Sequence, residues 1–597
     1  MADERPDRPV LGALQVAVLK NRFETIARAM TNALLRAGRS GVLNIARDFS
    51  CSILTADGEL LSYAESIPVH VLSGPDLQVQ SMKRLHPVLR RGDAFLHNSP
   101  YDGNSHAADW SILMPVIGDD GKHRFTVFAK AHQADCGNSI ATTYFTGARD
   151  VYEEGALIFP CVKVQEDYQL SDDVMRMIRV RVRVPEQAMG DFLALVGAAR
   201  VGERRLLEVL DEYGADVLND FAATWFDYSE SQMVERLHNL PSGTWVASTQ
   251  HDSTPVVPHG VDLNVAVAID AAAAMIDIDL TRNPDSLDCG LNLTESCSRA
   301  AAMIGIFNSL GGTVPANAGS YRRVRVHLRE DCCVGIPRHP HSCSGATTGL
   351  LDRIANATMR CLAEAKDGAG MAEFATSSAG SCVVSGTDSR TNKPFVNQLF
   401  LGFAGGGAAP VADGWLNAYS IGGAGMVMYD SVEVDEMRHP IRVMQQRLVP
   451  DSEGPGEFRG APGAMVEFGP VGGDVEINYT ADGTHNPPRG VRGGGDGTGS
   501  RQHVRRKDGA LEIIPNVGRL VLQPGESLIA QSSAGGGYGS PWKRDVAMVE
   551  RDFGQGLISR TRAREVYGVC FKEDGTLDAD ATDSARTAMG GTHQSPV

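Results

Sequence analysis

No apolar run in the chain reaches 18 residues, so no segment reads as a membrane-spanning helix. The N-terminal stretch MADERPDRPV is charged where a signal peptide is apolar, which gives a cytoplasmic expectation. Basic residues do not dominate either. Lys and Arg number 56 against 73 Asp and Glu, a formal net charge of -17. That balance excludes the basic surface that nucleic acid or an anionic membrane requires. The eleven cysteines are odd in number, scattered, and never spaced C-x-x-C. A disulfide framework and a zinc ribbon are thereby excluded, and reduced thiols are expected. There is no G-x-x-x-x-G-K-[ST], hence no phosphate loop, and no G-x-S-x-G nucleophile elbow. The glycines of GGGDGTG at 493–499 run into the charged SRQHVRRKDG instead of a helix, so they do not make a dinucleotide fingerprint.

What is abundant is glycine: 65 of 597 residues, roughly 11% against a typical ~7%. It clusters late, at 401–410, 420–426, 487–500 and 532–542, between strand-like runs such as MVEFGPV and GRLVLQPGESLIA. Tight turns and close backbone approach explain such placement better than disorder does. The length implies two to four domains. Apolar residues at three- and four-residue spacing predict helices over 11–38, 185–240, 295–312 and 350–365. Hairpins are expected around Asp57-Gly58 within 47–65 and around GDDGKH within 109–132. Strands follow at 261–280, and a β-rich stretch from about 430 closes with a short helix near 545–567. Blocks of helix and strand without strict alternation predict a multidomain α+β fold with mixed or antiparallel sheets and a β-rich, glycine-rich C-terminal third. The expected divisions are 1–240, 241–430 and 431–597.

Chemistry-bearing residues concentrate in the first 135 positions. Asp48 begins the first hairpin, and Glu65 and His70 follow its end. His106 and Asp109 precede the third strand, while His132 and Asp135 close the fourth. Strand ends on one sheet edge can bring such residues together, and a mixed His/carboxylate set suits Zn, Mn or Fe. Gly103, Asn104 and Ser105 permit a bent loop that aims His106 inward. A lone H-x-x-D also arises by chance among 16 His and 73 acidic residues. Alternation along 125–132 leaves His132 and Lys130 on the face opposite Phe125, Val127, Ala129 and Ala131, which is equally compatible with a solvated strand. Arg149, Glu153 and Glu154 read as loop charges, and His339 and His341, flanked by prolines, as a turn.

Several longer stretches carry a resemblance. RDFSCSILTADGELLSYAESIPVH, GDAFLHNSPYDGNSHAADWSILMPV, AKAHQADCGNS, YEEGALIFPCVKV, PANAGSYRRVRVHL, RLVPDSEGPGEFRGAPG and GGGYGSPWKRDVAMVERDFGQGLISRTRAREVYGV resemble the hydantoinase B family, in family order from about residue 15 to 570. That family includes B subunits of ATP-dependent N-methylhydantoinases, the matching half of 5-oxoprolinase, and acetone and acetophenone carboxylase subunits. The resemblance implies a hetero-oligomer in which a hydantoinase A-type subunit binds ATP and Mg and phosphorylates a substrate carbonyl. It also implies a divalent metal held by His106, Asp109 and His132, with Asp48 as fourth ligand. Glu65, His70 and Asp135 become orienting or acid–base candidates. Three functions stay open: subunit of a cyclic amide hydrolase, subunit of a ketone carboxylase, or non-catalytic scaffold for the A-type subunit.

Overall fold

The computed structural model describes residues 11–402, 405–416, 418 and 420–591. The charged N-terminal decapeptide and residues 403 and 404 of the first glycine cluster lie outside the described residues. The fold is α+β, with four sheets among the described residues. No helix among the described residues is long and apolar enough to cross a membrane. All eleven cysteines are unpaired, and ten are buried.

The sheet that matters most is a seven-stranded one. Its strands are β1 (Phe49–Thr55), β2 (Leu60–Tyr63), β3 (Ala94–His97), β4 (Asp109–Ile117), β5 (His123–His132), β6 (Val162–Glu166) and β7 (Gln169–Leu170). They lie in the order β2-β1-β5-β4-β3-β6-β7, each pair antiparallel. Both expected hairpins form, because Gly58 and Gly121 adopt the left-handed φ that their tight turns demand. Helices Ala13–Ala37 and Pro185–Tyr213 cover one face, packing Phe23, Met30 and Leu195 against Trp110, Met114 and Val127. On the other face Leu113 and Phe128 join Val79 and Met82 of helix Pro75–Leu85 in a smaller cluster. Every residue of β4 is buried, so this sheet has no solvated side there. The long helix expected over 185–240 is two helices, Pro185–Tyr213 and Ala215–His238, divided at Gly214 with φ +79°.

A four-stranded sheet follows, with β8 (Gly243–His251), β9 (Val261–Asp270), β10 (Met275–Asp279) and β11 (Val324–His327) in the order β11-β10-β9-β8. Helices Glu295–Ser309 and Leu350–Ala365 pack together beside it. One continuous apolar core runs from Leu19 to Val427 through both sheets' helices. A second core, from Ala379 to Ala530, lies between two further antiparallel sheets. The buried pair Arg353 Nε–Asp482 Oδ2, 2.7 Å, ties helix Leu350–Ala365 to that sandwich. Beside it the Asp252 carboxylate accepts backbone N–H groups of Thr484, His485 and Asn486.

The late glycine clusters stack backbone on backbone. A Cβ on Gly535 would lie 2.0 Å from the Gly406 carbonyl oxygen, and one on Gly460 would lie 1.9 Å from that of Gly535. Neither neighbour is a side chain that can swing away. Gly535→Ala is therefore expected to cost about 1–3 kcal/mol or more. Gly197→Ala, on an exposed helix position with nothing within 4 Å of its Cβ, is expected to add about 1 kcal/mol. Denaturant midpoints of the two variants check both signs.

Candidate metal centre

Three neighbouring strands line up the central residues. Asp109 at the start of β4 pairs directly with His132 at the end of β5. The His132 N–H donates to the Asp48 carbonyl, 3.0 Å, just before β1. Alternation puts Asp109, Ser111 and Leu113 of β4 on one face, opposite His132, Lys130 and Phe128 of β5. Buried Phe128 and Leu113 show that this face is covered, so Lys130 and His132 are not solvated strand residues.

His106 arrives from the loop before β4. Asn104 pins that loop by donating to the carbonyls of Asn98, His106 and Asp109 at 3.3, 2.5 and 2.9 Å. Gly103 takes φ +92°, and a Cβ there would meet Leu77 Cβ at 2.3 Å. His106 Nδ1 donates to the Ser344 carbonyl, 2.8 Å, which leaves Nε2 as the lone-pair nitrogen. That Nε2 stands 3.0 Å from Asp109 Oδ1 and 3.2 Å from His132 Nδ1. His132 Nδ1 is 2.9 Å from the same oxygen, and its Nε2 is 3.0 Å from Thr143 Oγ1. The Tyr144 ring stands 5.3 Å from both imidazoles.

The donors are mutually within 4.8 Å and wholly buried. Ligands about 2.0–2.2 Å from one ion sit roughly 3–4 Å apart, so the spacing suits a divalent cation. The electrostatics point the same way. Burial opposes ionisation of Asp109, yet His106 and His70 hold its carboxyl well below the usual range. Burial and the Asp109 charge together push Asp48 up to about 8. Burial likewise opposes charge on His106, but Asp109 and the Ser344 carbonyl hold its pKa above the ordinary value. Lewis-basic atoms so crowded gather protons, or a cation in their place.

His70 completes the group. Its Nε2 is 3.2 Å from Asp109 Oδ2 and 3.8 Å from Asp48 Oδ1, and its Nδ1 is 3.3 Å from Ser50 Oγ. A cavity of about 30 Å³ is lined by Asp48, His70, Asp109 and His132 together with Thr347, Thr348 and Gly422.

The family profile described as hydantoinase B/oxoprolinase matches residues 12–541. The chain belongs to the hydantoinase B/oxoprolinase family. The caprolactamase subunit beta of Pseudomonas jessenii is 28% identical over 592 residues, covering 96% of this chain and 99% of that one. The acetophenone carboxylase delta subunit of Aromatoleum aromaticum is 24% identical, covering 92% and 84%. The crystal structure of ATP-dependent caprolactamase from P. jessenii superposes with a TM-score of 0.86 at 27% identity, covering 97% of this chain and 100% of the matched chain.

Within this hydantoinase B/oxoprolinase family chain, the expected site residues separate. Asp48, His70, His106, Asp109 and His132 converge. Glu65 does not join them: it is exposed, lies 3.9 Å from Arg28, and lines a different cavity of about 900 Å³ with Phe23, Tyr63 and Trp225. Asp135 is buried but turned away, accepting from the Gly137 N–H at 3.0 Å and from the Arg183 guanidinium at 2.9 Å. Arg149 and Glu153 form an exposed ion pair. Their neighbour Glu154 is buried and accepts the Ser342 hydroxyl, 2.6 Å, beneath the Ser344 carbonyl that holds His106. His339 and His341 belong to the strap leading into those serines, and the His341 carbonyl accepts the Tyr101 hydroxyl at 2.7 Å. The adjacent acids of VYEEG give no sign of which is buried, so Glu154 had no sequence signal. Asp135→Ala is expected to cost about 2 kcal/mol through its lost hydrogen bonds. Glu65→Ala should stay within about 0.5 kcal/mol. Equilibrium urea unfolding measures both.

Proposed function

We propose that this chain is the metal-bearing subunit of an ATP-dependent enzyme that opens cyclic amides, working with a separate ATP-binding subunit. The observation that carries the reading is the convergence of His106 Nε2, Asp109 Oδ1 and His132 Nδ1 beside a water-sized cavity. The full-length likeness to a caprolactamase subunit supports the substrate class.

An amide carbonyl is a poor electrophile because resonance stabilises it. Phosphorylation of its oxygen by the partner activates the carbon. Water then adds there, the ring nitrogen takes a proton as its C–N bond breaks, and the acyl phosphate left behind is hydrolysed. His106, Asp109 and His132 would hold a divalent ion, with Asp48 at its edge. Such an ion, Zn or Mn by donor type, supplies Lewis acidity and makes a water easier to deprotonate at neutral pH. His70 Nε2, facing both carboxylates, is placed to carry the proton between the water and the leaving nitrogen. Glu154 and Ser342 support the strap whose Ser344 carbonyl keeps His106 in the ligating tautomer. Thr347, Thr348 and Gly422 limit the water that can enter.

The likeness to an acetophenone carboxylase subunit favours a second reading, in which the activated species is an enol phosphate and the new bond is to carbon dioxide. Co-purification with the ATP-binding partner, followed by assay of lactams, hydantoins, 5-oxoproline and ketones with bicarbonate, separates the two. Release of ADP with a ring-opened product is expected for a cyclic amide. Asp109→Ala should lower that rate about 10³-fold, the scale of losing a charge aimed at the reacting group. Turnover of ketone plus bicarbonate alone would overturn the hydrolase reading.

A further inference from the structure

Lys130 is fully buried two residues short of the end of β5, opposite Ser111 on β4 and Ser50 on β1. Among the described residues its ammonium meets no carboxylate within ion-pair distance. Its one hydrogen bond there runs from Nζ to Ser105 Oγ, 3.1 Å. Ser105 Oγ in turn lies 2.5 Å from Asp109 Oδ2. An ammonium only donates. Ser105 must therefore accept from Lys130 and direct its own hydroxyl proton at Asp109. The serine cannot drift, since its carbonyl accepts the Thr294 hydroxyl at 3.2 Å where helix Glu295–Ser309 begins. The two oxygens of Asp109 are thus treated differently. Oδ2 is engaged by Ser105 and His70, while Oδ1 faces His106 and His132.

We infer that Lys130 and Ser105 are positioning residues, a relay that occupies one oxygen of Asp109 and presents the other, alone, to the ion held with His106 and His132. The inference rests on the metal reading of that donor cluster. It gives Lys130 a role through a hydroxyl group, distinct from a general effect of its charge. A nearby cation acting by charge alone would weaken metal binding, and its removal would tighten it. A relay predicts the opposite sign.

The test titrates zinc into the metal-stripped full-length chain by calorimetry, and records the visible spectrum of the cobalt(II) form. Ser105→Ala and Lys130→Met should each weaken zinc binding about 10- to 100-fold, the usual cost of removing a group that orients a ligand. The double variant should be no weaker than Ser105→Ala, because both changes break one chain. Ser105→Thr, which keeps the hydroxyl, should restore both affinity and the cobalt spectrum. Lys130→Met binding zinc as tightly as wild type or tighter, or additive losses in the double variant, overturns the relay. Should Lys130→Met fail to fold, judged by near-ultraviolet circular dichroism, the Ser105→Ala and Ser105→Thr pair decides: equal affinities overturn it. Wild type failing to take up zinc or cobalt would instead remove the metal reading itself.

Discussion

The register of β4 against β5 sets Asp109 directly opposite His132, and the site depends on that pairing. Strand side chains alternate with a period of two, so a slip of one residue would turn either group to the opposite face. The register is protected by burial on both sides. Trp110, Ile112 and Met114 belong to the core beneath the long helices, while Leu113 and Phe128 belong to the cluster on the other face. The apolar pattern that folds the sheet is therefore the same pattern that aligns Asp109 with His132.

Burying three imidazoles and two carboxylates together is unfavourable unless each is held by a partner. The chain meets this with groups from distant segments. Asn104 closes the loop that carries His106, and Ser344 fixes that histidine's tautomer. Ser50 sits against His70, and Thr143 against the far nitrogen of His132. Thr347, Thr348 and Gly422 complete the wall of the cavity. The N-terminal sheet alone cannot make the site, because His106 is oriented by a carbonyl more than two hundred positions away. The Arg353–Asp482 pair and the Asp252 bonds to residues 484–486 extend this dependence to the glycine-rich sandwich.

Local chemistry was well marked in the sequence. Asp-Gly and GDDGKH announced both hairpins, and His106, Asp109 and His132 stood at strand ends where a sheet edge could collect them. Asp48 stood among the same strand-end candidates, and the family resemblance gave it the place of fourth ligand. What was not legible is direction. Glu65 and His70 share one short segment, yet the helix Pro68–Val71 turns only His70 inward. Asp135 lies three residues past His132 and is taken by Arg183, from the short connection between helices Asp172–Arg181 and Pro185–Tyr213. Alternation placed Lys130 correctly on the face of His132, but period-two reasoning does not say whether a face is wet. That was decided by helix Pro75–Leu85, whose Val79 and Met82 cover Leu113 and Phe128, and by Thr294 and Ser344, which hold the Ser105–His106 loop. The late glycines were legible as close-approach positions because they sat between strands, although their partners were not.

The proposed chemistry needs His106, Asp109 and His132 to hold one divalent ion. X-ray absorption at the edge of the metal carried by the purified chain tests it most directly. One ion per chain is expected, with two imidazole nitrogens and carboxylate oxygen at about 2.0–2.2 Å, and no sulfur. A chain that carries no divalent ion, or one whose ion shows a thiolate sulfur at about 2.3 Å, would contradict it.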